Sequence, residues 1–223
     1  MSSRTSVHRH ARRPGRPASH RRPAAREQLL SASVELFAEQ GVAATTFAMI
    51  ANRAGVTPAM LHYYYEDREQ LLDAVVHERM APVIKQVWNP VSTNASPAEL
   101  VCGVVERLLD AVQRLPWLPS LWIRDVLNEG GLLRTRVMEH VPLQKVQAFV
   151  ATIRRGRRSA RVNQDVDPAL LVFSILALVM LHCATSAFWA ETFHRAQPTR
   201  KTLERHITTV LLYGVMGSSD LEG

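Results

Sequence analysis

Apolar side chains recur with helical period along residues 26–88, interrupted at regular points by capping residues. Over Arg26–Gln40, Leu30, Val34 and Phe37 share one face, and Gly41 stops the helix. Thr46 is a good N-cap, after which Phe47, Ile50, Ala51 and Ala54 fall at i, i+3, i+4 and i+7. Gly55 stands where a helix C-terminus needs a left-handed residue, and Val56 plugs the corner. Thr57 caps the next helix, and Pro58 occupies its first turn, where a missing N–H costs nothing. Asp67 caps a further helix with Leu71, Leu72, Val75 and Val76 on one face, and Gln70 is placed to complete a capping-box-like pair. The spacing predicts two short helices joined by a glycine-containing turn. That is a helix-turn-helix over about residues 46–65, whose second helix enters the DNA major groove.

Beyond this segment the pattern stays helical. The fourth helix continues to about Trp88, followed by a loop through residue 94. Ser96-Pro97-Ala98-Glu99 is a capping box opening a helix to about Arg114, and Leu115-Pro116 breaks it. Trp117–Asn128 reads as one helix, and Pro142 opens another bearing Leu143, Val146, Val150 and Ile153. Pro168 to about Glu191 and Thr199 to about Gly214 form the last two. With no alternating strand pattern and no internal repeat, the fold class is all-α. Pro168–Ala190 carries 23 residues without Asp, Glu, Lys or Arg, long enough to span a bilayer. The reading adopted is a helix buried on all sides, half by its own domain and half by a second subunit. The final helix, with Leu203, Ile207, Val210, Leu211 and Val215, has a similarly broad apolar face. Paired with their symmetry mates, these helices would build a four-helix dimer seam, with Leu178 and Leu211 at the interface.

Charge changes the picture at one end only. Of 27 Lys and Arg residues, seven arginines fall in residues 1–25, which hold no acid; the remainder has 20 basic against 20 acidic groups. Residues 1–24 thus read as a disordered basic arm, with three prolines and too little apolar surface to fold alone. It lacks the apolar core of a secretory signal. Pro14-Gly15-Arg16-Pro17 resembles a minor-groove-binding AT-hook core, which makes Arg16 a candidate DNA contact. Cys102 and Cys183 sit in apolar helical context without a CxxC spacing, and are expected to be reduced thiols in a cytoplasmic protein. No phosphate-binding loop, dinucleotide fingerprint or nucleophile elbow occurs. Asp165 and Asp167 read as helix-start acids, and His182 and Cys183 as core. No enzyme, metal site or cofactor is expected.

Gln40-Gly41, Thr46, Ile50-Ala51, Ala54-Gly55-Val56-Thr57, Leu61, Tyr65, Arg68-Glu69 and Leu71 together resemble the N-terminal domain of the tetracycline-repressor (TetR) family of bacterial transcription regulators. The resemblance covers about 60 of the 223 residues. It implies a DNA-binding domain over 25–83 and a larger helical effector-binding and dimerisation domain over 84–218. It also implies a homodimer on a palindromic double-stranded DNA operator, no membrane, and a small-molecule effector that releases a repressor. A helical ligand- or partner-binding protein with only nonspecific DNA affinity through its tail is the alternative.

Carried over by position, Thr46 is the helix N-cap that meets a phosphate, and Thr57, Pro58, Ala59 and Met60 open the recognition helix. His62 stands where the family usually has a phosphate-contacting Tyr. Tyr63 and Tyr64 face DNA, Tyr65 is structural, and Arg68 resembles the usual basic phosphate contact. The recognition helix lacks Arg, Asn or Gln for bidentate base reading, so base choice rests on apolar contacts, the two tyrosines and DNA shape. Aromatic and titratable residues in the middle helices supply candidates for an effector pocket: Trp117, Trp122, Arg124, Asp125, His140, Phe149, Phe173 and His182.

Overall fold

The computed structural model describes residues 21–89 and 95–215. The expected arm up to His20, including Arg16, the loop over 90–94 and the chain beyond Val215 lie outside the described residues. Helix α1 runs Arg21–Gln40, so the end of the expected arm is helical. Helices α2 (Phe47–Arg53) and α3 (Pro58–Tyr64) pack on it, and α4 (Arg68–Val75) follows. Their shared core is Leu29, Leu30, Phe37, Ile50, Leu61 and Leu71, each at most 1% exposed. Two ion pairs tie α1 to the helix leading away. Arg26 donates to Glu78, and Arg79 to Glu27. The Arg26 hydrogen bond holds the Glu78 carboxyl below its usual range.

The rod that begins with α4 is not one regular helix. It passes through a π-helical stretch, Val76–Met80, before α5 (Ala81–Val87). Pro82 has no N–H for the carbonyl four residues earlier, and its ring would crowd that carbonyl. Widening the preceding turn relieves the conflict, and Ala81 N–H bonds Val76 O instead.

The body is helical as expected, with α6 (Pro97–Arg114) at its centre, packed on α5, α9, α10 and α12. The capping box at its start forms, Ser96 Oγ accepting from Glu99 N–H at 3.2 Å and Glu99 from Ser96 N–H at 2.7 Å. Three expectations need correction. The helix expected over Trp117–Asn128 is a short α7 (Leu118–Leu121) running into a π-helical stretch, Trp122–Leu127. A helix absent from the sequence reading, α8 (Arg134–Glu139), lies between it and α9 (Leu143–Arg158), seated by Leu133 and Val137, both fully buried. The long helix from Pro168 divides into α10 (Pro168–Ala184) and α11 (Ser186–Thr192), bent by 61°. At the bend Thr185 Oγ1 donates to Leu181 O at 2.7 Å, the back-bonding by which Ser and Thr bend helices. No single described helix is long and apolar enough to cross a membrane.

Helix α12 (Arg200–Val215) turns Leu203, Ile207, Leu211 and Val215 inward. Leu211, expected at the dimer seam, is 5% exposed and belongs to the protomer's own core. Val210 and Tyr213 on its far side are the exposed pair, at 49% and 68%. Leu178, the other seam candidate, is half-buried against the core. Cys102 and Cys183 are free and half-buried, and burial pushes both thiols up.

The π-helical stretch after α7 doubles back on itself. Leu133 N–H reaches Asp125 O at 3.2 Å, and Gly131 lies so close that a Cβ there would sit 2.2 Å from the same oxygen. Backbone cannot yield as a flexible side chain can. Gly131→Ala is therefore expected to lower the unfolding free energy by about 1–3 kcal/mol. Urea or thermal unfolding reads this, and an unchanged midpoint would contradict it.

Candidate functional site

The helix-turn-helix is built by local capping chemistry. Thr46 Oγ1 accepts from Met49 N–H at 3.3 Å and starts α2. At its end Gly55, with φ +65°, donates to Asn52 O at 3.0 Å while Val56 donates to Ala51 O at 3.0 Å. This two-bond closure is the Schellman motif, and a side chain at Gly55 would strain it. Thr57 Oγ1 then accepts from Met60 N–H at 3.4 Å and starts α3. Asp67 Oδ1 accepts from Gln70 N–H at 2.9 Å, but Gln70 reaches back to Glu66 N–H, one residue earlier than a standard box.

Helix α3 buries only Leu61, and Tyr65 behind it is 2% exposed, beneath the Arg26 guanidinium 5.6 Å from its ring centre. The opposite face is open. Thr57, Pro58, Ala59 and His62 are exposed there, and Tyr63 is 67% exposed. Met60 and Tyr64 are half-buried, Tyr64 packing on the core. The His62 ring lies 5.2 Å from Phe47, which joins α2 to α3, and Tyr63 meets Tyr64 edge-on at 5.1 Å. Arg68 has a role the sequence reading missed. Its guanidinium donates to Thr45 O at 3.0 Å and to Val42 O, fastening the start of α4 to the α1–α2 turn.

The second feature is an apolar cavity of about 370 Å³ inside the body. Met80, Val83, Ile84 and Val87 form one wall, and Val146 and Val150 of α9 another. Val172, Phe173, Leu176 and Met180 of α10 close a third side. Trp122 and Val126 of the π-helical stretch and Arg134 and Met138 of α8 complete it. A well-formed apolar cavity with few polar groups is the common form of a small-molecule site.

Comparison with known proteins settles the class. The family model for bacterial regulatory proteins of the tetR family matches residues 29–75, the segment that forms α1 through α4. The transcriptional regulator BetI of Rhizobium meliloti is 30% identical over 101 residues, so the match spans half of that protein's length. The transcriptional repressor KstR2 of Mycolicibacterium smegmatis is 27% identical over 158 residues, 71% of this chain and 75% of that one. The solved structure of the ketosteroid transcriptional regulator KstR2 of Mycobacterium tuberculosis superposes with a TM-score of 0.68 at 17% identity, covering 86% of this chain and 95% of that one. Through residues 29–75 this chain carries the DNA-binding domain of the tetR family. It is a helix-turn-helix transcriptional regulator with a helical C-terminal body.

Among the residues expected around an effector, the helical body brings only Trp122 and Phe173 to the cavity. Phe149 is fully buried and packs edge-on against Trp88 at 6.0 Å. Trp117 is half-buried just before α7, outside the lining. His140 lies 5.8 Å from His77 in a polar groove between α8 and the α4 rod. His182 lies 5.7 Å from His206 in a groove between α10 and α12. The walls that sequence reasoning missed are Val, Leu, Ile and Met, indistinguishable by type from ordinary core.

Arg124 and Asp125 sit instead at the joint between the body and the DNA-reading bundle. Arg124 lays its aliphatic stem along Gly41. Asp125 is 5% exposed, and its Oδ2 accepts from Val42 N–H at 3.4 Å. A second hold lies alongside, where Arg136 of α8 donates to Asp73 at 2.6 Å and also pairs with Glu69. Burial pushes the Asp125 carboxyl up, outweighing the Val42 hydrogen bond and the nearby Arg124 and Arg68. A raised carboxyl favours folding most when protonated, and that contribution is lost as pH rises above the ordinary aspartate value of about 3.9. Asp125→Asn keeps an acceptor oxygen for Val42 without the buried charge. The variant's melting temperature minus that of the parent should therefore grow more positive from about pH 4 to pH 7, and a difference independent of pH would contradict this.

Proposed function

We propose that this chain is a dimeric repressor, acting in the cytoplasm, released from a palindromic operator when a small apolar molecule fills the cavity. One observation carries the reading. The strip 122–139 both walls the cavity, through Trp122, Val126, Arg134 and Met138, and grips the DNA-reading bundle, through Asp125 and Arg136. A ligand that repositions this strip changes where α3 points. The Met80–Val87 wall belongs to the rod that continues α4, which gives the cavity a second lever on the same bundle. A ligand shifts such an equilibrium only by its differential affinity for the two states, typically ~1–3 kcal/mol, or roughly 5–150-fold in operator affinity.

Dimerisation is supported by apolar surface left uncovered on the last helices. Leu170 and Leu181 of α10, Phe188 of α11, and Val210 and Tyr213 of α12 are each about half or more exposed. A twofold seam there would present two α3 helices to the two half-sites of a palindrome. On each, Tyr63 stands outermost, beside His62 and behind the exposed Thr57–Ala59 tip. KstR2 carries "ketosteroid" in the name of its structure. A bulky apolar effector fits the walls of this cavity as well.

The test is selection of bound fragments from genomic DNA, repeated with a chain lacking residues 1–20. The reading expects one inverted-repeat sequence, bound by a dimer and retained after the deletion. Fragments without a common sequence, or a selectivity that vanishes with the arm, would contradict it and favour nonspecific binding through the basic tail.

A further inference from the structure

Among the described residues, the side chains lining the cavity hold no oxygen atom. Their polar groups are N–H donors: the indoles of Trp88 and Trp122 and the guanidinium of Arg134. Trp122 Nε1 is buried and finds no acceptor among the described residues. An unmet buried donor costs about 1–3 kcal/mol, which a ligand oxygen would recover. Arg134 opens α8, is exposed, and has no ion-pair partner among the described residues. It is the one charged side chain among the described residues of the lining. An otherwise apolar site that offers donors, a cation and no side-chain acceptor discriminates sharply. It rewards a ligand that brings acceptor oxygens and negative charge, and it penalises an amine, whose N–H groups would be left unpaired.

We propose that the effector is an apolar carboxylate, its hydrocarbon body against the α9 and α10 walls and its acid group addressed by Trp122 N–H and Arg134. The inference rests on the cavity being the effector site, and deepens that reading. A neutral apolar body alone would fit the walls but leave Trp122 unmet, and a cation would meet Arg134 with like charge.

The test uses the full chain and matched probes that share one hydrocarbon chain: laurate, dodecanol and dodecylamine. Each competes against the neutral dye Nile red, whose fluorescence reports occupancy of the cavity. Leu176→Trp, which fills the lining, checks the location by excluding the dye. Laurate should displace the dye on the order of tenfold or more better than dodecylamine. Arg134→Gln should remove most of that preference while leaving dodecanol unchanged. Trp122→Phe, which removes the N–H together with part of the ring, should weaken laurate and dodecanol alike by several-fold. If Nile red binds and Leu176→Trp excludes it, yet laurate and dodecylamine compete equally or Arg134→Gln leaves the preference intact, the carboxylate inference is overturned and the cavity stands. If no probe enters, or Leu176→Trp leaves dye binding unchanged, the cavity reading fails with it.

Discussion

One buried carboxylate ties the body to the turn that follows α1, beside the packing of α1 on α7. Asp125, next in the chain to Val126 of the cavity wall, accepts from the backbone N–H of Val42, just past the end of α1. From the other side of that turn, Val42 O and Thr45 O are held by Arg68 at the start of α4. The α1–α2 turn is therefore gripped both by the body and by the helix that leaves the DNA-reading bundle. Anything that moves the 122–139 strip is felt where α2 begins, and α2 carries α3 through the Schellman closure at Gly55 and the Phe47–His62 ring contact. Helix α3 and the 122–139 strip are thus joined over a few contacts.

The strengths of those contacts suit a switch. The Arg136 pairs involve carboxylates about two-thirds exposed, and such surface pairs contribute only ~0.2–1 kcal/mol each. They set orientation more than stability. The Asp125 contact is buried but long for a hydrogen bond, and burial itself opposes the charge it carries. A joint of this kind stays closed by modest free energy, so a ligand coupling of a few kcal/mol is enough to reset it. The cores on either side are different in kind. Leu29, Phe37 and Leu71 in one half and Leu121, Ile153 and Ile207 in the other are fully buried or nearly so, and would each cost several kcal/mol to truncate.

What was legible in the chain was its local chemistry. Thr46, Gly55, Thr57, Asp67, Ser96 and Asp167 cap through groups two to five residues away, so their roles follow from sequence spacing alone. The rest depends on neighbours that spacing does not name. Helix α8 is six residues long with a two-residue apolar seat, too short for periodicity to register. The bend at Thr185 carries no Pro or Gly. The π-helical turn before Pro82 had a visible sign in the proline itself, which interrupts the pairing a regular helix needs. Leu211 and Val210 are adjacent on a helix with two apolar faces, and only packing on α6 decides which is core. The cavity walls are Val, Leu and Met at helical spacing, and a void among them arises from how helices cross. Trp122 and Phe173 were candidates by residue type, no better marked than their neighbours, and nothing in the spacing singled out Arg134 or Arg136.

The central claim is that filling the cavity repositions the DNA-reading bundle through the 122–139 strip. Val172→Trp tests it most directly, because the added ring occupies the cavity without any ligand. Operator affinity and the hydrogen exchange of the Val42 amide are measured together, on protein that still unfolds cooperatively. The account predicts operator binding weakened roughly 5–150-fold, with faster exchange at Val42 as the Asp125 contact loosens. Unchanged operator affinity and unchanged Val42 protection, in a folded protein whose cavity is filled, would contradict it.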